Sequence, residues 1–205
     1  MTSPTRRVAL ALDALRHGWP VALEGAFTLL PAETGLGAAS ARTMLISAAR
    51  AVTLKLANQR EAARPEAPVL IRAAEPFDLA GARALADPAL DLAYPLKGPF
   101  VAEPLDHAEA AAAAMELARL AGILPAFLVD PVPVGEAQGV SAADLAAWKD
   151  TAHLAIAARA RLPVAAAEDA EIIAFRSADD LREHVALVIG RQSADRAPLV
   201  RLHSE

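Results

Sequence analysis

Residues 105–129 read LDHAEAAAAAMELARLAGILPAFLV and predict a helix followed directly by a buried strand. The alanines at positions 110–114 have the best helix propensity, and apolar residues continue at helical spacing as far as Gly122. We therefore expect a helix over residues 105–121 that ends at this glycine. Residues 125–129 form a short run that is apolar at every position, which is typical of a strand in a sheet covered on both faces. The pair predicts a fold of the α/β (α+β) class, with helices packed on a sheet.

The residues before this stretch continue the alternation of helices and short strands. Val8, Leu12 and Leu15 lie at helical spacing, and Gly18 follows where a helix would end. The expected elements are a helix over 5–17, strands over 20–23 and 27–30 joined by Glu24-Gly25-Ala26, a helix over 38–49 with Ser40 or an earlier residue as N-cap, and a strand over 52–56.

Prolines recur between residues 61 and 104 and argue against long regular elements there. Proline fixes the backbone angle φ and removes a hydrogen-bond donor, so short strands and turns are expected, with one helix near residues 79–85. The prolines are Pro65, Pro68, Pro76, Pro88, Pro95, Pro99 and Pro104.

The residues after position 129 begin with a loop rich in proline and glycine, over 130–139. Ser141, with Asp144 three positions later, is typical of a helix start. We expect this helix to reach about residue 160, with a break near Asp150, and strands to follow over 171–175, 184–189 and 199–203. The change to consecutive strands near residue 160 predicts a domain boundary.

Composition excludes several classes of protein. The 205 residues are 55% hydrophobic, which is enough for a core, and carry a formal net charge of -5 without a basic stripe. Nonspecific binding to nucleic acid or to acidic membranes is therefore not expected. No signal peptide and no uncharged run of the ~18 residues that span a bilayer is visible, so a cytoplasmic location is expected. The absence of cysteine excludes disulfides and thiolate zinc sites in these residues.

Three short motifs in residues 1–155 carry a family resemblance. The motifs are Leu15-Arg16-His17-Gly18 with Val21-Ala22-Leu23, then Pro31-Ala32-Glu33-Thr34, then the run over residues 117–122 (LARLAG) with Pro125-Ala126. They resemble 3,4-dihydroxy-2-butanone 4-phosphate synthase, which many bacteria fuse to a following hydrolase domain. The resemblance implies a mixed sheet covered by helices.

The same resemblance implies that the synthase chemistry is missing. The family holds a divalent metal with carboxylates from a long acidic loop, for which Mg²⁺ is suited. Here that loop is reduced to Glu24-Gly25-Ala26, which leaves one carboxylate. The family's Arg-Pro-Gly-His segment corresponds to Asp91-Leu92-Ala93 before Tyr94-Pro95-Leu96, which has neither the arginine nor the histidine. Its Thr-Gly-x-Ser-x-x-Asp-Arg segment is not found.

His107-Ala108-Glu109-Ala110 resembles the family's metal-binding His-Thr-Glu-Ala, but it lies three residues too early relative to residues 120–122. Two interpretations stay open: a solvated first helical turn, which we favour, and a working ligand pair. Glu24, His107 and Glu109 are therefore the residues of a vestigial synthase site. Glu33 is interpreted as an ordinary turn carboxylate.

The end of the chain contains a second set of motifs: Arg161-Leu162-Pro163, Phe175-Arg176, residues 183–190 (EHVALVIG) and residues 199–205 (LVRLHSE). Their similarity is to the opening of GTP cyclohydrolase II. It implies GTP ring opening with release of formate and pyrophosphate, with zinc and magnesium as metals of the complete enzyme. The implied GTP-binding residues are Arg201, Leu202, His203, Ser204 and Glu205. The alternative is an ordinary amphipathic strand.

The leading hypothesis is an N-terminal portion of GTP cyclohydrolase II, with a degenerate synthase-like domain over 1–155 and the beginning of the hydrolase domain over 156–205. We expect the polypeptide to continue past Glu205 with the zinc cysteines, and this chain alone to be inactive and to bind no metal. The partners expected are GTP, for the complete enzyme, and a second copy in a homodimer, without nucleic acid or membrane. The alternatives are a non-catalytic dimerisation platform and an active synthase with rearranged ligands.

Overall fold

The computed structural model divides the chain into two compact units, Met1–Lys149 and Asp150–Glu205. It describes residues 3–133, 135–150, 154–165, 167–177, 183–190, 195 and 197–203. Within the described residues, no helix combines the length and the apolarity that crossing a membrane requires.

The first unit is a mixed sheet with helices on both faces. Its elements are α1 Pro4–Arg16, β1 Val21–Leu23, β2 Phe27–Pro31, β3 Ser40–Ile46, α2 Ala48–Thr53, β4 Val69–Asp78, α3 Leu79–Ala86, β5 Phe100–Glu103, α4 Ala108–Ala121, β6 Ala126–Val129, β7 Gln138–Val140 and α5 Ala142–Trp148. The sheet order is β5-β4-β3-β6-β2-β1-β7. Its pairs are antiparallel except for β1 with β7, which is parallel. The predicted α/β (α+β) class is confirmed.

Alternation along the strands divides the core into two layers. Phe127 and Val129 of β6 pack in the layer that α1, α4 and α5 cover. Ala126 and Leu128 pack in the layer that α2 and α3 cover. Because successive strand residues point to opposite faces, a strand covered on both sides is apolar at every position. This accounts for the continuous apolar run that predicted β6.

The elements predicted from residues 5–30 and 105–129 are confirmed. Ser3 caps α1 by accepting a hydrogen bond from the amide of Arg6, at 3.3 Å. Gly122 ends α4 in the left-handed conformation, with a φ of 74°. The apolar face of α4 is buried against the sheet: Ala111, Ala114, Leu117 and Ala118 are at most 1% exposed.

The helix predicted over residues 38–49 is wrong. Residues 40–46 form β3, which lies between β4 and β6, so Met44, Leu45 and Ile46 are completely buried on both faces of the sheet. In a short run that is apolar at every position, the spacing of apolar residues does not distinguish a strand from a helix. Ser40 begins this strand, and Ser47 is the residue that caps α2, through the amide of Arg50 at 3.2 Å.

The strand predicted over residues 52–56 is also wrong, because these residues form the end of α2. Lys55 has a positive φ of 60°. Its amide bonds to the carbonyl of Val52, and the amide of Leu56 bonds to the carbonyl of Ala51. This is a Schellman ending, in which glycine usually holds the left-handed position. Because a lysine and not a glycine stands at this position, the sequence does not indicate that a helix ends here.

The region rich in proline contains one long strand, contrary to the prediction of short elements. β4 spans ten residues and includes Pro76. Its pairing with β3 jumps from Arg72 to Phe77, opposite Thr43 and Ala41, so the proline lies in an irregular segment. A proline is tolerated in a sheet where no ladder bond is needed from its nitrogen. The predicted helix near residues 79–85 is confirmed as α3.

Residues 130–160 differ from the prediction at two places. The expected loop over 130–139 ends in the short strand β7, which pairs with β1. The helix start at Ser141 is confirmed as a capping box with Asp144, but α5 ends at Trp148. Leu154–Arg161 is a strand, so the helix expected to reach residue 160 is wrong.

The second unit is an antiparallel sheet of order β10-β9-β8, formed by β8 Leu154–Arg161, β9 Ala170–Ser177 and β10 Glu183–Ile189. The strands predicted over 171–175 and 184–189 are confirmed. The strand predicted over 199–203 is wrong, because these residues have no regular structure. Leu199 and Leu202 are 102% and 94% exposed. Alternation alone does not form a strand, since backbone groups need a paired neighbour.

Candidate functional site

The three residues predicted to form a vestigial synthase site line one cavity in the first unit. The cavity has a volume of about 430 Å³ and lies between the β1–β2 turn, the start of α4 and the start of α5. Glu24 comes from the turn, and His107 and Glu109 come from the helix start. All three side chains are exposed. The fold thus brings together the residues that the sequence analysis grouped.

The two residues at the start of α4 have the geometry of a solvated first turn. His107 is the N-cap residue but makes no capping hydrogen bond through its side chain. Its ring instead contacts Phe27 edge-on, with 6.1 Å between the ring centroids. Glu109 lies in the first turn, where the helix dipole favours a negative charge. Among the residues that the structure describes, no group of three histidine or acidic side chains could hold a metal ion.

Arg7 and Asp144 form a partly buried ion pair between α1 and α5. The guanidinium of Arg7 donates two hydrogen bonds to Asp144, one of 2.9 Å from Nε. The Asp144 side chain is 4% exposed and also accepts the amide of Ser141, at 3.0 Å. The bond from Arg7 is the main cause that lowers the pKa of Asp144. The same bond from Arg7 to Asp144 is the main cause that raises the pKa of Arg7, and the charge of Glu24 adds a smaller contribution in the same direction.

The sequence indicated only one of the two residues of this ion pair. Asp144 was identified as part of a capping box, and that role is confirmed. Its partner Arg7 lies 137 residues away, on α1. No local pattern connects two residues at that separation, so sequence reasoning missed the ion pair.

The segment at Asp91, which the sequence analysis compared with the synthase family's Arg-Pro-Gly-His, has a structural role. Asp91 accepts hydrogen bonds of 2.8 and 2.6 Å from the two terminal nitrogens of Arg50 and another from Lys97. These cations, Arg50 first, hold the pKa of the Asp91 carboxyl far below its usual range. Arg50 is 6% exposed and also donates to the carbonyl of Leu85, at 2.6 Å. Asp91 is thus fully engaged within the fold.

The Pro-Ala-Glu-Thr turn is also structural. A carboxylate oxygen of Glu33 accepts the amide of Leu124 at 2.6 Å, just before β6. The hydroxyl of Thr34 donates to the carbonyl of Leu15 at 2.6 Å, in the last turn of α1. A Cβ at Gly18 would lie 2.1 Å from the carbonyl oxygen of Thr34. The two short motifs that suggested the synthase family therefore contact each other, and packing explains their residues.

The candidate GTP-binding residues lie in the second unit. Arg201, Leu202 and His203 are exposed and belong to no helix or strand. Ser204 and Glu205 lie outside the described residues. The structure therefore offers a guanidinium and an imidazole on an accessible segment.

Comparison with known proteins identifies the family. Residues 155–205 match the family model described as GTP cyclohydrolase II, and this range covers β8, β9 and β10. A curated relative, GTP cyclohydrolase-2 of Azospirillum brasilense, is 32% identical over 232 aligned residues. The alignment covers 98% of this chain and 57% of the relative, so the chain spans a little over half the length of that protein. The chain belongs to the GTP cyclohydrolase II family.

Proposed function

We propose that this chain is the N-terminal part of a GTP cyclohydrolase II polypeptide, which opens the ring of GTP with release of formate and pyrophosphate in riboflavin biosynthesis. The observation that carries the proposal is the family match over residues 155–205, which coincides with a separate compact unit. The relative matched along 98% of the chain has the same activity in its name. Residues 156–205 would then begin the hydrolase domain.

The zinc and the magnesium of such an enzyme find no binding site among the described residues. The sequence has no cysteine. The described residues also contain no group of three histidine or acidic side chains placed to hold a metal. Zinc in a catalytic site takes three protein ligands and an open position. The donor groups of the described residues do not fit either metal, and we propose that other residues of the complete enzyme bind both.

The contribution proposed for this chain is to GTP binding. Arg201 is exposed and would supply a positive charge to the nucleotide, because guanidinium groups pair well with phosphate oxygens. His203, Ser204 and Glu205 would offer polar groups beside it, and Leu202 would be the apolar residue between them. The complete polypeptide is proposed to act in the cytoplasm.

Residues 1–155 are proposed to be a degenerate butanone-phosphate-synthase-like domain. The support is that Glu24, His107 and Glu109 line one cavity, as a vestigial site would require. Glu24 lies on the turn Glu24-Gly25-Ala26, which is proposed to stand where the family has its long acidic loop. An active synthase would need more carboxylates at this cavity to balance a metal and an enediolate.

A second role, as a homodimerisation platform, is favoured by one specific observation. Leu92 and Leu96 are 96% and 97% exposed on the first unit. Monomeric proteins seldom expose large apolar side chains in a cluster without an interaction to cover them. This role and the hydrolase assignment are compatible in one polypeptide.

The GTP-binding proposal is tested in an extended protein, made by joining this chain to the part of the Azospirillum relative that follows the matched region. Replacing Arg201 with alanine removes a charge-assisted contact worth about 1.5–3 kcal/mol, so kcat/KM for GTP should fall roughly 10- to 100-fold. Arg64→Ala, which removes an exposed arginine of the first unit, is the control and should leave kcat/KM unchanged. An unchanged value in the Arg201 variant would remove this residue from the site.

A further inference from the structure

A second cavity of the first unit lies where β3 begins and β6 ends. Its volume is about 380 Å³. Its lining comes from residues 40–43 of β3, from Pro76 of β4, from Val129 at the end of β6, and from Asp130 and Val132 after it. None of these residues lines the cavity described above. We call this second space the β3 cavity.

The β3 cavity coincides with an irregularity in the pairing of β3 with β4. The pairs on either side of Arg42 join β3 to residues 72 and 77 of β4, so Arg42 alone stands opposite residues 73–76. Pro76 belongs to this stretch and has no backbone amide to pair. An irregularity of this kind changes the direction of a side chain and is common beside functional sites.

Arg42 supplies the positive charge of the lining, and its side chain is exposed. Within the described part of the chain, no acidic side chain pairs with its guanidinium and no carbonyl accepts a hydrogen bond from it. The neighbouring arginine of β4, Arg72, is by contrast paired with Glu103. A guanidinium presents its N–H donors in one plane, which matches the two oxygens of a carboxylate. The donors of Arg42 are therefore available to a ligand.

Asp130 supplies the negative charge of the lining, and its carboxylate is held in place. One carboxylate oxygen accepts the amide of Thr28 at 2.8 Å, and the amide of Asp130 donates to the carbonyl of Thr28 at 2.8 Å. Among the residues that the structure describes, no cation pairs with this carboxylate. Arg42 and Asp130 thus line one cavity without pairing with each other.

The rest of the lining is apolar or carries a hydroxyl group. Val129, Val132 and Pro76 supply apolar surface, and Ser40 and Thr43 supply the hydroxyls. Apolar walls with a few polar groups are typical of sites for small molecules. A ligand that satisfies both charges must combine an anionic group, a cationic group and an apolar part. A free aliphatic amino acid has this combination.

We propose that the β3 cavity binds a free aliphatic amino acid, with its carboxylate on Arg42, its ammonium on Asp130 and its side chain against Val129 and Val132. Both charges of the cavity select the zwitterion. An anion alone would leave the Asp130 carboxylate unpaired, and a cation alone would leave Arg42 unpaired. The site goes beyond the proposed GTP chemistry, because all of its residues belong to the first unit.

Calorimetric titration of the 205-residue chain tests the class of ligand. The probe is L-leucine, and two analogues each lack one of its charges: 4-methylpentanoate has no ammonium, and 3-methylbutylamine has no carboxylate. Leucine should bind with a dissociation constant of about 1 mM or less, and each analogue at least about ten times more weakly. No binding of leucine at about 10 mM, or equal binding of either analogue, would overturn the proposal.

Two substitutions test the place of binding. Arg42→Gln and Asp130→Asn should each weaken leucine binding at least about tenfold, because each removes one charge of the cavity. Asparagine keeps an oxygen for the amide of Thr28 and tolerates the positive φ of 47° at residue 130. Arg64→Gln, at an exposed arginine outside the cavity, is the control and should bind leucine as the parent does.

The exposed position of Arg42 keeps the test decisive even if the Asp130 variant does not fold. Leucine binding that Arg42→Gln leaves unchanged would place the ligand elsewhere and overturn the proposal. Leucine binding that Arg64→Gln weakens as much as Arg42→Gln would also overturn it, because the effect would then come from the net charge of the chain and not from this cavity.

Discussion

Replacing Gly18 by alanine tests whether contact between the two synthase-like motifs holds the first unit together. Gly18 has a φ of 76°, and a Cβ there would lie 2.1 Å from the carbonyl oxygen of Thr34 and 2.8 Å from its carbonyl carbon. Gly25 has nearly the same φ, 74°, with nothing within 4 Å of an added Cβ. Both positions therefore strain the backbone of an alanine, but only at Gly18 does the added Cβ clash with another residue.

The expected destabilisation follows from these geometries. The left-handed conformation costs alanine about 1–2 kcal/mol, and the stiffer unfolded chain returns about 0.4–1 kcal/mol. Gly25→Ala should therefore lower the free energy of unfolding by about 1 kcal/mol. Gly18→Ala adds an overpacking cost of about 1–3 kcal/mol and about 1 kcal/mol for the strained bond from Thr34 to Leu15. Its total is about 3–5 kcal/mol.

Urea unfolding followed by tryptophan fluorescence measures the difference, because both tryptophans, Trp19 and Trp148, belong to the first unit. Gly18→Ala should unfold at clearly lower urea than Gly25→Ala. If the two variants unfold at the same urea concentration, the close contact between Gly18 and Thr34 does not support the fold, and the packing explanation of the two motifs is refuted.

Two further predictions concern the ion pairs. Asp144→Asn should lower the free energy of unfolding by about 1.5–3 kcal/mol near pH 7, because Arg7 loses a charged acceptor. The pKa of Asp144 is lowered in the folded state, so this stability exists above the unfolded pKa of about 4 and is lost as the pH falls through the folded value. The urea midpoints of parent and variant should therefore converge in acid. A difference between the midpoints that grows in acid would contradict this pH dependence. Asp13→Asn, which removes the carboxylate of an exposed ion pair, is the control. Asp91→Asn should free the end of the segment over residues 92–97, so that trypsin cuts after Lys97 faster than in Asp106→Asn. Equal rates of cleavage in the two variants would contradict the role of Asp91.

Elements with a local cause could be predicted from the sequence. The start of α5 could be predicted because the side chains of Ser141 and Asp144 each accept a hydrogen bond from the backbone amide of the other residue. The end of α4 was visible because glycine is suited to the left-handed position at residue 122. In both cases the residues that determine the structure lie within four positions of each other.

The errors have causes that are not local. β3 was taken for a helix because two layers of the core cover it, and those layers come from distant parts of the chain. Glu24, His107 and Glu109 were grouped only through a family resemblance, and the ion pair between Arg7 and Asp144 was missed. An ion pair between residues 137 positions apart depends on the topology of the fold, which no local sequence pattern indicates.

Formate release is the most direct test of the central claim, because both reactions in question produce formate. The extended protein, supplied with zinc and magnesium, is given GTP in one sample and ribulose 5-phosphate in another. A hydrolase fused to a degenerate synthase domain should release formate from GTP and none above background from ribulose 5-phosphate. Release from ribulose 5-phosphate, or none from GTP by a folded extended protein, would contradict the account.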